Sequence, residues 1–139
     1  MKSSKANTIL VTGASGQLGT CIKAIANNYP LYNFVFADSS SLDITNRNQV
    51  LQYISNSQFD YIINCAAYTA VDLAEDNKEK AFEINAKGVE NLTIACKRFS
   101  CTLLHVSTDF VFDGKKNAPY LEGDNTHPLN YYGASKLNG

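Results

Sequence analysis

Apolar residues along this chain fall into two alternating patterns: short continuous runs, and longer stretches with three- and four-residue spacing. Thr8-Ile9-Leu10-Val11-Thr12 is a β-branched run that stops at Gly13. Asn33-Phe34-Val35-Phe36-Ala37, Tyr61-Ile62-Ile63-Asn64-Cys65 and Thr102-Leu103-Leu104-His105-Val106 repeat the form. Each predicts a buried strand. Between them, Leu18, Cys21, Ile22 and Ile25 predict a helix from Gln17 to about Asn28, and Val50, Leu51, Tyr53 and Ile54 one from about Asn46 to Ser55. Ala81, Phe82, Ile84, Asn85, Val89, Leu92 and Cys96 share one side of a long helix from about Lys78 to Phe99. A last helix is expected to begin near Asn130, after a loop holding Asp113-Gly114, Glu122-Gly123 and His127-Pro128.

Strands that are apolar throughout and alternate with helices predict a parallel sheet covered on both faces. Right-handed crossovers make the fold class α/β, a Rossmann-like doubly wound parallel sheet, with strand order 3-2-1-4 expected. No repeat, low-complexity tract or linker divides the chain, so residues 1–139 are expected to form one domain. The chain stops about ten residues into its last helix with no strand to receive it. A parallel sheet left with its fourth strand as an edge is a poor natural end point. The expectation is therefore a truncated piece of a longer protein.

Composition narrows the function classes. With 139 residues, 45% hydrophobic, 18% charged, seven Phe and eight Tyr, the chain can build a core and is not a disordered solvating segment. Twelve basic against thirteen acidic residues give a net charge of −1, which argues against nucleic acid as a partner. No run approaches the roughly 18 apolar residues of a membrane span, and Met1-Lys2-Ser3-Ser4-Lys5 does not open a secretory signal. A cytoplasmic protein without a membrane partner is expected. Cys21, Cys65, Cys96 and Cys101 form no C-x-x-C pair, and His105 and His127 lie in no ligand-spaced cluster with them, so no metal is expected.

The chemistry gathers where strands end. Gly13, Gly16 and Gly19 are spaced G-x-x-G-x-x-G at the first strand-to-helix junction. Glycine there permits a positive φ and close backbone approach to a pyrophosphate, which meets the positive end of the following helix. Asp38 follows Gly19 by nineteen residues, at the end of the second strand, where a carboxylate can accept both ribose hydroxyls of an adenine nucleotide. Together these predict dinucleotide binding.

Tyr132-Gly133-Ala134-Ser135-Lys136 is a Y-x-x-x-K pair, which a helix puts on one face, and an ammonium near a phenol lowers the phenol pKa from about 10. Alone the pair is weak: eight Tyr and ten Lys make a chance occurrence ordinary, and an exposed i,i+4 surface pair is the plain alternative. Ser107-Thr108-Asp109 follows the fourth strand at its carboxyl end, where ligands of open parallel sheets bind, although Ser and Thr are also common turn formers. Asn64-Cys65-Ala66-Ala67 after the third strand leaves room for a cofactor along the sheet edge.

Thr12-Gly13-x-x-Gly16-x-x-Gly19, Asn64-x-Ala66-Ala67, Asn85-x-x-Gly88, Ser107-Thr108 and Tyr132-x-x-x-Lys136 together resemble the extended short-chain dehydrogenase/reductase superfamily. Within it, Gly16-Gln17-Leu18-Gly19, Leu42-Asp43-Ile44, Ala66 through Asp72, Ser107 through Gly114 and Pro128-Leu129-Asn130-x-Tyr132-Gly133 are similar to the dTDP-4-dehydrorhamnose reductase family. The likeness runs from about Thr8 to Gly139. Cys65 replaces a frequent Ala and Leu73 a frequent Lys. Members carry a further C-terminal half with much of the sugar-nucleotide pocket, so by this likeness the substrate part is absent here and the piece itself is inactive.

The resemblance implies reduction of the C4 ketone of dTDP-4-dehydro-L-rhamnose by NADH or NADPH, with the Asp38 charge favouring NADH. It implies a catalytic set of Thr108, Tyr132 and Lys136: Tyr132 protonating the alkoxide, Lys136 holding the nicotinamide ribose, and Thr108 orienting the carbonyl with Asp109 near the sugar. Gly13, Gly16, Gln17, Leu18 and Gly19 would take the pyrophosphate, Asp38 the adenosine ribose, and Asp43 and Ile44 the adenine. Ala67, Tyr68 and Thr69 would flank the nicotinamide. Asn85 would either hold a water in a proton relay or bond to backbone in the core. The partner is a dTDP-sugar, and a homodimer is open for a full-length protein. Two other readings share the glycine loop: a non-catalytic regulatory subunit of methionine adenosyltransferase, and another nucleotide-sugar epimerase or dehydratase.

Overall fold

The computed structural model describes residues 6–139. Four parallel strands form one sheet: β1 (Asn7–Thr12), β2 (Tyr32–Ala37), β3 (Tyr61–Asn64) and β4 (Thr102–His105). The helices are α1 (Gln17–Ile25), α2 (Arg47–Ser55), α3 (Lys78–Phe82), α4 (Gly88–Phe99) and α5 (Tyr131–Asn138). Every expected strand and helix is present within a few residues of its reading. A π-helical turn, Glu83–Lys87, joins α3 to α4 inside the expected long helix, and a 3-10 turn, Ala26–Asn28, extends α1 to the expected end.

The strand order is β2-β1-β3-β4, not the expected 3-2-1-4. That order needs a third strand outside β2, but the residues after β2 turn back on themselves instead of extending. The Asp38 carboxylate accepts from Ser40 and Ser41, and the Asp43 carboxylate from the Thr45 amide and hydroxyl. These local bonds compete with a strand ladder. The chain next forms α2 and crosses back over β1, so Tyr61–Asn64 pairs with β1 on the side away from β2. β1 is thus the point where the winding reverses, and open α/β sheets bind ligands beside such a point, at the carboxyl ends of the strands.

The main core lies on one face of the sheet. Leu10 and Ile62 on the strands pack with Val50 and Ile54 of α2 and with Leu92, Ala95 and Cys96 of α4. Burial of each large aliphatic side chain stabilises by about 1.5–3 kcal/mol. The Lys23 ammonium of α1 lies over the Phe36 ring, which places α1 on the opposite face. α1 covers that face only in part, leaving Tyr61 and Leu104 exposed there. Expected cover on both faces is complete on one side only. A second, smaller cluster of Ala74, Ala81 and Tyr132 seats α5 against α3.

Candidate functional site

Register sets the site. Ala37, Thr12, Asn64 and His105 stand side by side at the carboxyl ends of the four strands. Just past this row the chain makes the turn that holds Gly13. Its φ is +64°, and a Cβ there would come within 2.5 Å of the Ala66 amide nitrogen, so only glycine lets the two loops meet. A Cβ on Gly19 would come within 2.5 Å of the Gly13 carbonyl oxygen, so α1 also needs glycine to lie close to that turn. No side chain caps α1, and the amides of its first turn have no partner within the helix. Anions are favoured at such an end.

Two adjoining cavities of about 300 Å³ each run along this edge and share Gly16, Cys65, Ala66 and Ala67. Asp43 and Ile44 border the first, beyond Gly13. The second reaches from Gln17 and Leu18 past Thr69 and Ser107 to Tyr132 and Lys136. The structure therefore brings the glycine turn and the Tyr-Lys pair onto one groove.

Other expected residues lie off it. Gly19 acts from beneath, through packing. Thr108 caps a 3-10 turn, its hydroxyl accepting from the Phe110 amide and donating to the Asp109 carboxylate. Asp109 borders a separate hollow with Phe112 and Tyr120. The Tyr68 ring packs against the small cluster around Tyr132. Asp38 stands at the end of β2 next to Ser39, which borders the first cavity. Its Oδ1 takes all four bonds from Ser40 and Ser41, and the Ser40 hydroxyl foremost holds its carboxyl below the usual range.

Tyr132 and Lys136 are 9% and 4% exposed, which removes the alternative of an exposed surface pair. The Phe110 ring meets the Tyr132 ring edge-on at 5.5 Å. A Cβ on Gly133 would run into the Phe110 carbonyl, so that glycine lets α5 approach the turn. Asn130 caps α5 by accepting from the Gly133 amide at 2.7 Å.

Three supporting residues escape sequence reasoning. Ser135, inside the Tyr-Lys motif, accepts from the Asn85 amide and donates to the Tyr132 carbonyl. Asn91 on α4 donates to the Ile44 and Thr45 carbonyls and so fixes the wall of the first cavity. His105 lies between Asn64 and Lys136. Its one sequence signal is a polar residue in an otherwise apolar strand. Asn85, wholly buried in the π-helical turn, bonds to both the Tyr68 amide and the Tyr68 carbonyl, so it takes the core role and clamps the loop after β3.

Comparison with known proteins gives the family and the fold. The RmlD substrate binding domain family matches residues 7–139. The dTDP-4-dehydrorhamnose reductase of Aggregatibacter actinomycetemcomitans is 44% identical over 131 residues, covering 94% of this chain and 45% of that protein. That of Mycolicibacterium smegmatis is 41% identical over 137 residues, covering 96% of this chain and 40% of that protein. The crystal structure of the Bacillus anthracis dTDP-4-dehydrorhamnose reductase in complex with NADP superposes with a TM-score of 0.94 at 39% identity, over 99% of this chain and 49% of that one. The chain thus spans less than half the length of these relatives. From the glycine turn to the Tyr-Lys helix, it belongs to the RmlD substrate binding domain family.

Proposed function

We propose that this chain is the dinucleotide-binding half of an NAD(P)H-dependent dTDP-4-dehydrorhamnose reductase. The observation that carries the reading is the single groove joining Gly13 and Gly16 to Tyr132 and Lys136. The groove fits a nicotinamide dinucleotide in the way its backbone is kept bare. Side chains at Gly13 and Gly19 would collide with backbone, and the uncapped end of α1 faces the space that a pyrophosphate requires. Gly13, Gly16, Gln17 and Leu18 would hold the pyrophosphate, Asp43 and Ile44 the adenine end, and Ala67, Thr69, Tyr132 and Lys136 the nicotinamide end. Asp38 would take the adenosine ribose. Tyr68 contributes through its clamped backbone.

When bound, the reduced nicotinamide supplies a hydride to the C4 ketone of dTDP-4-dehydro-L-rhamnose. Tyr132 gives its phenolic proton to the developing alkoxide, so the ketone becomes an alcohol with one hydride and one proton gained. Lys136, four residues on along the same helix, orients the ribose and steadies the phenolate left behind. Thr108 and Asp109 lie on the turn that packs against α5 and would meet the sugar from outside the groove. The strings from Ala66 to Asp72 and from Ser107 to Gly114, together with the named relatives, favour this reading over the regulatory subunit and over other nucleotide-sugar enzymes.

For cofactor choice we infer a preference for NADH. Asp38 is charged, the Ser40 and Ser41 hydroxyls are already spent on it, and no Lys or Arg lies between Lys23 and Arg47 to neutralise a 2′-phosphate. Repulsion of about 1 kcal/mol per unit charge at 4 Å in water, acting on a 2′-phosphate of more than one charge, gives a bias of roughly tenfold, so NADP is still accepted.

The reaction is tested in a chimera in which residues 7–139 replace the matching half of the Aggregatibacter actinomycetemcomitans reductase. The chimera should oxidise NADH or NADPH only when the keto sugar is present. Tyr132→Phe should cut kcat by roughly 10²–10⁴ with cofactor affinity kept. A chimera that binds cofactor yet leaves the keto sugar untouched, or a Tyr132→Phe form with full turnover, would refute the assignment.

A further inference from the structure

A chain of polar side chains crosses the sheet edge beneath the groove and ends on Lys136. Asn64 Oδ1 accepts from the Thr12 hydroxyl at 2.6 Å and from the Ala66 amide at 3.2 Å. An amide N–H can only donate, so the Asn64 oxygen faces Ala66 and its nitrogen faces the other way. That nitrogen, Nδ2, lies 3.1 Å from His105 Nδ1 and donates to it. His105 Nδ1 is therefore an acceptor, and a neutral imidazole carries its one proton on the other nitrogen. Nε2 of His105 is 3.2 Å from Lys136 Nζ. With Nε2–H on this line, Nζ must accept, and an ammonium has no lone pair with which to do so.

The rest of the Lys136 environment agrees. The residue is 4% exposed, and among the described residues its other bond is to the Val106 carbonyl at 2.6 Å and no carboxylate borders the cavity it shares with Cys65 and Tyr132. Asp109, on the turn packed against α5, accepts from Thr108, and Glu75 accepts from the Tyr131 amide at the far end of that helix. Among the described residues, an ammonium here would have two neighbours for three donors and no carboxylate lining its cavity.

We propose that His105 is a positioning residue for Lys136: fixed by Asn64 with Nε2–H outward, it holds the lysine in place as an uncharged amine near neutral pH. Burial lowers the Lys136 pKa in the same direction, and burial followed by the charge of Lys136 lowers that of His105 to about 4, as expected for two groups that cannot both be protonated. The inference rests on the dinucleotide reading only for its consequence. A ribose hydroxyl accepting from Nζ favours the ammonium; without such an acceptor the amine prevails. The positive charge that assists Tyr132 is thereby tied to loading of the groove.

The test needs no cofactor, so its failure is separate from failure of the reductase reading. Histidine-ring NMR on the labelled chain, with His127→Gln to leave one ring, should show the Nε2–H tautomer of His105, unprotonated down to about pH 4. The Lys136 Cε signal, identified by its loss in Lys136→Met, should show the amine already unprotonated at neutral pH, as burial and the His105 Nε2–H require. In His105→Gln the new Oε1 can accept from an ammonium, and the Lys136 midpoint should rise by about one unit or more; burial alone would leave it unmoved. An Nδ1–H tautomer in the His105 ring, or a Lys136 still protonated at neutral pH in the free chain, overturns the proposal. So does an unmoved midpoint in a folded His105→Gln chain. If His105→Gln does not fold, the wild-type tautomer and midpoint decide.

Discussion

Asn85 Nδ2 donates to Ser135 Oγ at 2.9 Å across fifty residues of sequence, and both side chains are almost wholly removed from solvent. The bond links the π-helical turn to α5. Asn85 also holds the amide and carbonyl of Tyr68, and Ser135 the carbonyl of Tyr132. One buried pair therefore fixes both the loop after β3 and the helix carrying Tyr132 and Lys136. π-Helical turns recur at functional sites, and here the turn belongs to the segment that carries Asn85.

Asn85→Ala should be strongly destabilising. It orphans the Tyr68 amide and carbonyl, each at about 1–3 kcal/mol, and takes from the Ser135 hydroxyl one of its two partners, for a loss of roughly 3 kcal/mol in total after relaxation. Ser135→Ala leaves the Tyr68 clamp intact and should cost about 1–2 kcal/mol. Urea unfolding of the two variants checks the order. Equal losses would mean that the Tyr68 clamp contributes nothing.

Asp38 sets a difference between cofactors. Dissociation constants at one ionic strength should show NADH binding roughly tenfold tighter than NADPH, and Asp38→Ala should narrow that gap. A wild-type preference for NADPH would mean that the Asp38 charge does not face the 2′ position.

Stability should depend on pH through His105. Its folded-state value, about 4, lies below the ordinary 6.5, so between these values the unfolded chain binds more protons. Stability is then full above about pH 6.5 and falls as pH drops toward 4. The loss is about 1–2 kcal/mol once solvent around a half-buried ring is allowed for. His105→Gln should flatten this part of the curve. Parallel curves for the two proteins from pH 4 to 7 would contradict it.

Elements and chemistry were legible to different depths. Local apolar spacing located all four strands and the helices, because burial on a sheet or along a helix face imposes a period on the residues themselves. Strand order was not local. It turned on whether Ser39 to Thr45 would extend beside β2, and the capture of the Asp38 and Asp43 carboxylates by nearby serine and threonine groups decided against it. The glycine turn was readable because Gly13 is required by a backbone contact with Ala66. Ser135, Asn91 and His105 were not, since each acts through a partner distant in sequence that no spacing rule specifies.

The groove's claim to a dinucleotide is met most directly by titrating NADH and NADPH into the 139-residue chain while following backbone amide shifts. Saturable binding is expected, with the largest changes at Gly13, Gly16, Gln17 and Leu18 and at Ala66 and Ala67. Gly13→Ala, which drives a Cβ to within 2.5 Å of the Ala66 amide at a φ of +64°, should abolish it. Gly114→Ala, at a φ of +71° with open space around it, should cost about 1 kcal/mol of stability and leave binding intact. A cooperatively folded chain that binds neither cofactor, or binds both through residues away from the Gly13–Ala66 contact, would contradict the account.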